Sequence, residues 1–102
     1  MDENKKKLDF SIGIFDNITD KIKTKLIKDS NSCGTYAVGV YTDKYIIENL
    51  MTYPLKPLEE RITIAQSLEG VDFVFIVDSS DRKEIKKIIE KKYEDYLKKN
   101  KN

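Results

Sequence analysis

The spacing of hydrophobic positions changes several times along the chain, and each change marks an element. Leu8, Phe10, Ile12, Ile14 and Phe15 first alternate with polar residues and then run together, which predicts a strand over 8–15. Asp16 and Asn17 end it. Asn17 or Thr19 can then cap a helix that carries Asp20 in its first turn and an apolar stripe of Ile18, Ile22, Leu26 and Ile27. Lys21, Lys23, Lys25 and Lys28 fall mostly off that stripe, as a solvated face does. Residues 29–34, DSNSCG, read as a loop. TYAVGVYT, residues 35–42, is short, β-prone and nearly all apolar, which predicts a strand buried on both faces. Gly39 inside it predicts a close approach to the backbone.

A short helical turn is expected through Tyr45 to Leu50, followed by a proline loop, MTYPLKP, over 51–57. Pro57 suits the first helical position, and Leu58, Ile62, Ala65 and Leu68 keep helical spacing as far as Gly70, a C-terminal stop. VDFVFIV, residues 71–77, is the third strand. Ser79, Ser80 or Asp81 caps a last helix, with Asp81 and Glu84 spaced as a capping box and Ile85, Ile88, Ile89, Lys92, Tyr93, Tyr96 and Leu97 as its stripe. Residues 1–7 and 99–102 read as disordered ends of a domain over 8–98. Strands that alternate with helices, and that are themselves nearly all apolar, imply a parallel sheet covered by helices. Right-handed crossovers order its strands 3-2-1. The expected fold is α/β: a Rossmann-like three-layer domain with a short parallel sheet, half of a doubly wound nucleotide-binding fold.

Composition narrows the chemistry. The chain has 102 residues, enough for one small domain, and 36% of them are charged. Basic and acidic residues number 19 and 18, for a net charge of +1, which argues against a dedicated nucleic-acid binder while leaving room for a local phosphate site. There is no histidine and one cysteine, Cys33. No internal disulfide and no zinc spacing exist, and a cysteine nucleophile would lack an activating histidine, so Cys33 reads as a buried small residue in a reducing, cytoplasmic setting. No stretch approaches the ~20 apolar residues of a membrane span, and the N-terminus does not read as a signal peptide.

Three segments carry a resemblance. GIFDNITDKI occupies residues 13–22, VGVYTDK residues 38–44, and YPLKPLEERITIAQSLEGVDFVFIV residues 53–77. In order and spacing they resemble the cytidylyltransferase-like branch of the nucleotidyltransferase superfamily, of the glycerol-3-phosphate cytidylyltransferase type. That family opens with Gly-Thr-Phe-Asp-x-x-His-x-Gly-His, continues with a strand ending like VGVSTDE, and then has a proline loop with PxEER. The resemblance implies transfer of CMP from CTP, with magnesium, to a phosphorylated alcohol such as glycerol 3-phosphate, releasing pyrophosphate. It also implies nucleotide-binding positions at Gly13, Ile14, Phe15, Asp16, Thr42, Asp43 and Arg61.

The departures matter as much. Thr19 and Ile22 stand at the two histidine places, and Lys21 replaces the glycine between them. Nucleotidyl transfer is catalysed mainly by positioning and by donors around the developing charge, each worth about 3 kcal/mol. Thr19 offers one neutral donor and Ile22 none. Lys21 could supply a charge near phosphate, block the nucleotide's path, or simply face solvent. The phosphate-directed lysines that the family carries after the second strand are missing between Lys44 and Lys56. Relative to the five-stranded family fold the chain reads as truncated, without strands four and five and the late Ser-Thr motif.

Alternative roles stay open residue by residue. Asp16 can be a turn residue, Thr42 and Asp43 caps of the next helix, Arg61 a helix-surface pair or a tie into the sheet, and Tyr41, Tyr45 and Tyr53 packing residues rather than base-stacking ones. The expectation is a non-catalytic domain that acts as an interaction module or weak nucleotide binder. The alternative is an active cytidylyltransferase. The first strand would be an exposed edge, which predicts a homodimer, or else a last helix folded back over it through Tyr93, Tyr96 and Leu97. A further protein partner is possible on the interaction-module reading, and nucleic acid is not expected.

Overall fold

The computed structural model describes residues 6–99. Its elements are β1 (Lys6–Gly13), α1 (Asp20–Ser30), β2 (Cys33–Tyr41), α2 (Asp43–Asn49), α3 (Leu58–Gln66), β3 (Phe73–Val77) and α4 (Arg82–Lys99). The strands are all parallel and lie in the order β1-β2-β3. β2 is central, and its apolar run is divided between two cores by the alternation of side chains across a strand. Tyr36, Val38 and Val40 join Leu26 of α1 and Ala65 of α3 on one face. Ala37 joins Phe75, Val77 and Ile89 of α4 on the other. The result is the three-layer α/β arrangement expected from the pattern.

The boundaries shift for identifiable reasons. β1 begins at Lys6, so Lys6 and Lys7 belong to the sheet, and it ends at Gly13 because Phe15 turns left-handed with φ 61°. β3 starts at Phe73 instead of Val71 because Asp72 closes the β2–β3 ladder. Its amide donates to the Tyr36 carbonyl at 2.7 Å and its carboxylate accepts the Tyr36 amide at 2.8 Å. That carboxylate also takes the Tyr96 hydroxyl at 3.3 Å. Asp72→Ala is therefore expected to lower the unfolding free energy by about 2 kcal/mol, the usual cost of orphaning a buried amide plus a lost hydrogen bond, read by urea denaturation. α3 stops at Gln66 with Ser67 as its C-cap, and Gly70 (φ 94°) reverses the chain into β3 rather than ending the helix. Lys99 is still helical. The disorder expected for residues 1–5 and 100–102 falls outside the described residues.

Asp81 caps α4, its carboxylate accepting the Lys83 amide at 2.9 Å. Ile85, Ile88 and Ile89 then pack on Ala37, Phe75 and Val77, while Tyr93 and Tyr96 lie against Phe73 with ring centroids 6.4 and 5.4 Å away. The helix therefore sits over β3 and β2. It does not fold back over β1 through Tyr93 and Tyr96, and Leu97 stays 46% exposed. β1 is left as an edge of the sheet among the described residues.

Candidate functional site

Parallel strands bring the loops that follow them to one end of the sheet, where open α/β folds bind ligands. Here the segments after β1 and β2 meet there, together with the loop that leads into α3. Gly13 ends β1, and a Cβ on it would lie 3.0 Å from the Phe15 ring, so the bare glycine lets that ring fold back. Asp16 reaches across to the proline loop, its carboxylate accepting the Leu55 amide at 2.6 Å. Thr42 caps α2, its hydroxyl oxygen accepting the Tyr45 amide at 3.1 Å, while its own amide donates to the Val77 carbonyl at 3.0 Å.

Arg61 is the centre of this end. It is fully buried. Its Nε donates to the Lys56 carbonyl at 2.9 Å, its Nη1 to the carbonyls of Ile14 at 3.1 Å and Tyr41 at 2.7 Å, and its Nη2 to the Asp43 carboxylate. One planar fork thus joins the turn after β1, the end of β2, the start of α2 and the proline loop. Arginine suits such a place because its donors are fixed in a plane and its charge is permanent. This geometry is that of a tie into the sheet, one of the roles left open for Arg61.

The two histidine places are also used by the fold. Thr19 caps α1, its hydroxyl oxygen accepting the Ile22 amide at 3.3 Å. Ile22 packs against the core formed by Leu26 and its neighbours. Lys21, between them, is exposed. Cys33 is buried, with its thiol directed at the Thr35 carbonyl at 3.3 Å.

Of the acidic groups at this end, Asp16 accepts the Leu55 amide and Asp43 pairs with Arg61. Among the described residues no cluster of three or more His, Cys, Asp or Glu side chains could hold a metal ion.

On the other face of the sheet, Tyr41 and Tyr45 stack with ring centroids 4.6 Å apart and planes within 8°. They border an apolar groove of about 600 Å³ with Phe10, Ile12, Ile85 and Ile89, flanked by Arg82 and Lys86. Partial burial pushes the Tyr41 phenol above its ordinary pKa. Tyr53, by contrast, is 75% exposed.

The structure thus brings Ile14, Asp43 and Arg61 into direct contact and ties Asp16 to the same loop. It keeps Thr19 and Ile22 within α1 and its cap. Sequence reasoning missed the Asp43–Arg61 pair, the Asp16–Leu55 bond and the basic rim of the groove. The convergence of loops at the carboxyl ends of parallel strands was the available signal for the first two.

No family profile matches the sequence, and no curated protein matches it. Among solved structures, the lipopolysaccharide core biosynthesis protein from Thermoplasma volcanium is similar, with a TM-score of 0.68 at 20% identity. The match covers 81% of this chain, which spans 66% of the length of that one. At that identity the likeness is one of fold: a Rossmann-like α/β sheet, with three parallel strands and helices on both faces in this chain.

Proposed function

We propose that the chain is a cytidylyltransferase-like domain that no longer transfers nucleotide, works as an interaction module and retains weak nucleotide binding at most. The observation that carries this reading is Arg61. The cation matching the family's PxEER arginine is fully buried, and its donors go to the protein's own carbonyls and to Asp43, where they hold the fold together instead of meeting a phosphate. The replaced histidine places point the same way, since Thr19 is a cap and Ile22 a core residue. Electrostatic stabilisation of a nucleotidyl transition state needs pre-aimed donors that stay free for substrate. The exposed apolar side chains of Met51 (86%), Tyr53 (75%) and Leu55 (75%) support a contact role for the proline loop.

Calorimetric titration with CTP and ATP, each with and without magnesium, tests the reading. The expected dissociation constant is no tighter than about 1 mM, a binding free energy near −4 kcal/mol. No pyrophosphate release above buffer is expected with CTP and glycerol 3-phosphate. Micromolar CTP affinity with pyrophosphate release would overturn the reading and establish the active cytidylyltransferase.

A further inference from the structure

We propose that β1 is a self-complementary dimerisation edge, pairing antiparallel with β1 of a second copy about a two-fold axis through Phe10. This deepens the interaction-module reading and rests on it, but not on whether any nucleotide binds.

The orientation of the edge comes first. Among the described residues β1 has β2 on one side only. Tyr36 turns its amide and carbonyl to Asp72 on the β3 side, so in the parallel register Asp9, opposite it, faces β2 and the Phe10 amide points away from the sheet, where the Asp9 carboxylate accepts it at 2.8 Å. Strand alternation then sends the amides and carbonyls of Leu8, Phe10 and Ile12 outward together. The side chains of the same residues share one face, where Leu8 and Ile12 pack towards the α4 core and Phe10 remains 40% exposed. Asp9 and Ser11 lie on the opposite face, with the Ser11 hydroxyl oxygen accepting from the Tyr36 hydroxyl at 2.9 Å.

Symmetry then limits the register. A two-fold axis normal to the sheet pairs residues of one face with residues of the same face, so it must pass through a residue position. Centred on Phe10, it sets Phe10 against Phe10 of the second copy and Leu8 against Ile12, with their outward amides and carbonyls exchanged. On the other face it sets the Asp9 carboxylate against the Ser11 hydroxyl, an acceptor facing a donor. Centred on Asp9, it opposes two carboxylates, which is destabilising across a strand pair. Centred on Ser11, it leaves Lys6 to Leu8 without strand partners, because β1 ends at Gly13. Only the Phe10 centre combines long overlap, an aromatic pair, aliphatic pairs and no like charges.

In the monomer Asp9 satisfies the outward Phe10 amide, one of the ways an edge is kept from pairing indiscriminately. Pairing exchanges that bond for the strand ladder and frees the carboxylate for Ser11 of the second copy.

Light scattering on the full chain at about 100 μM is expected to give about twice the monomer mass of 11.9 kDa. Phe10→Lys, which would set two ammonium groups face to face at the axis, is expected to give a folded monomer by circular dichroism and light scattering. Register is read by oxidative cross-linking of Asp9→Cys and Ser11→Cys chains, with the unmodified chain and its buried Cys33 as background. Disulfide is expected from the mixture of the two variants and not from either alone. A monomeric full chain overturns the proposal. A dimer that persists in folded Phe10→Lys also overturns it, while leaving the interaction-module reading in place. Cross-linking of Asp9→Cys alone or Ser11→Cys alone, at or above the mixture, overturns the Phe10 register.

Discussion

Arg61→Ala lowers the unfolding free energy by about 3 kcal/mol, measured by urea denaturation, and lowers the midpoint temperature by roughly 10–20 °C for a domain of this size. The expectation follows from what the guanidinium leaves behind. The carbonyls of Ile14, Tyr41 and Lys56 lose their donor at a fully buried position, and each orphaned acceptor costs more than a hydrogen bond normally contributes. The Asp43 pair adds less, because the Asp43 side chain is 46% exposed and water screens it. Arg61→Lys keeps the charge but not the fork, since one ammonium cannot meet carbonyls from three segments, and a loss of about 2 kcal/mol is expected. Arg61→Met separates packing from hydrogen bonding. It fills similar space yet should cost about as much as alanine if the donors are what matter. Near-native stability of Arg61→Met would show that the arginine contributes volume and not ties, and would return it to consideration as a phosphate ligand.

Gly39→Ala destabilises by about 2 kcal/mol although alanine is usually the more favourable residue in a strand. A Cβ at Gly39 would lie 2.7 Å from two atoms of the Phe75 ring and 2.9 Å from a Val77 methyl. Neither neighbour has room to move. Phe75 is 1% exposed and Val77 fully buried, and the Phe75 ring meets Phe10 edge-on with centroids 5.9 Å apart. Interiors packed to crystal-like density turn an extra methyl into strain. The clash should be relieved by shortening the aromatic side chain. In the double variant Gly39→Ala with Phe75→Leu, the loss is expected to be about 1 kcal/mol less than the sum of the single losses. Additive losses would mean that Gly39 is needed for some reason other than the Phe75 ring.

The same two positions show how far the sequence could be read. Gly39 was legible, because a glycine inside an apolar strand run has few reasons to exist other than close packing, though not which residue does the packing. Arg61 was legible as a position and ambiguous as a role. Its partners Ile14, Tyr41 and Asp43 lie 47, 20 and 18 residues away in the chain, and no local pattern states which carbonyls a buried fork will meet. Thr19 and Ile22 were legible as chemical departures, while their roles as cap and core residue needed the helix to be placed. Asp72 was read as part of the third strand, and only the β2 backbone beside it makes it the residue that closes the ladder.

By itself the sequence determined the order and type of the elements, the parallel sheet and the two-sided burial of β2. These follow from short-range periodicity and from the handedness of crossovers, which are local in the chain. The tertiary structure decided what local patterns cannot encode. It turned the carboxyl end of the sheet inward onto Arg61, set α4 over β3 and β2, and left β1 at an edge of the sheet among the described residues. Those outcomes depend on contacts between residues far apart in sequence, whose geometry exists only once the layers have packed.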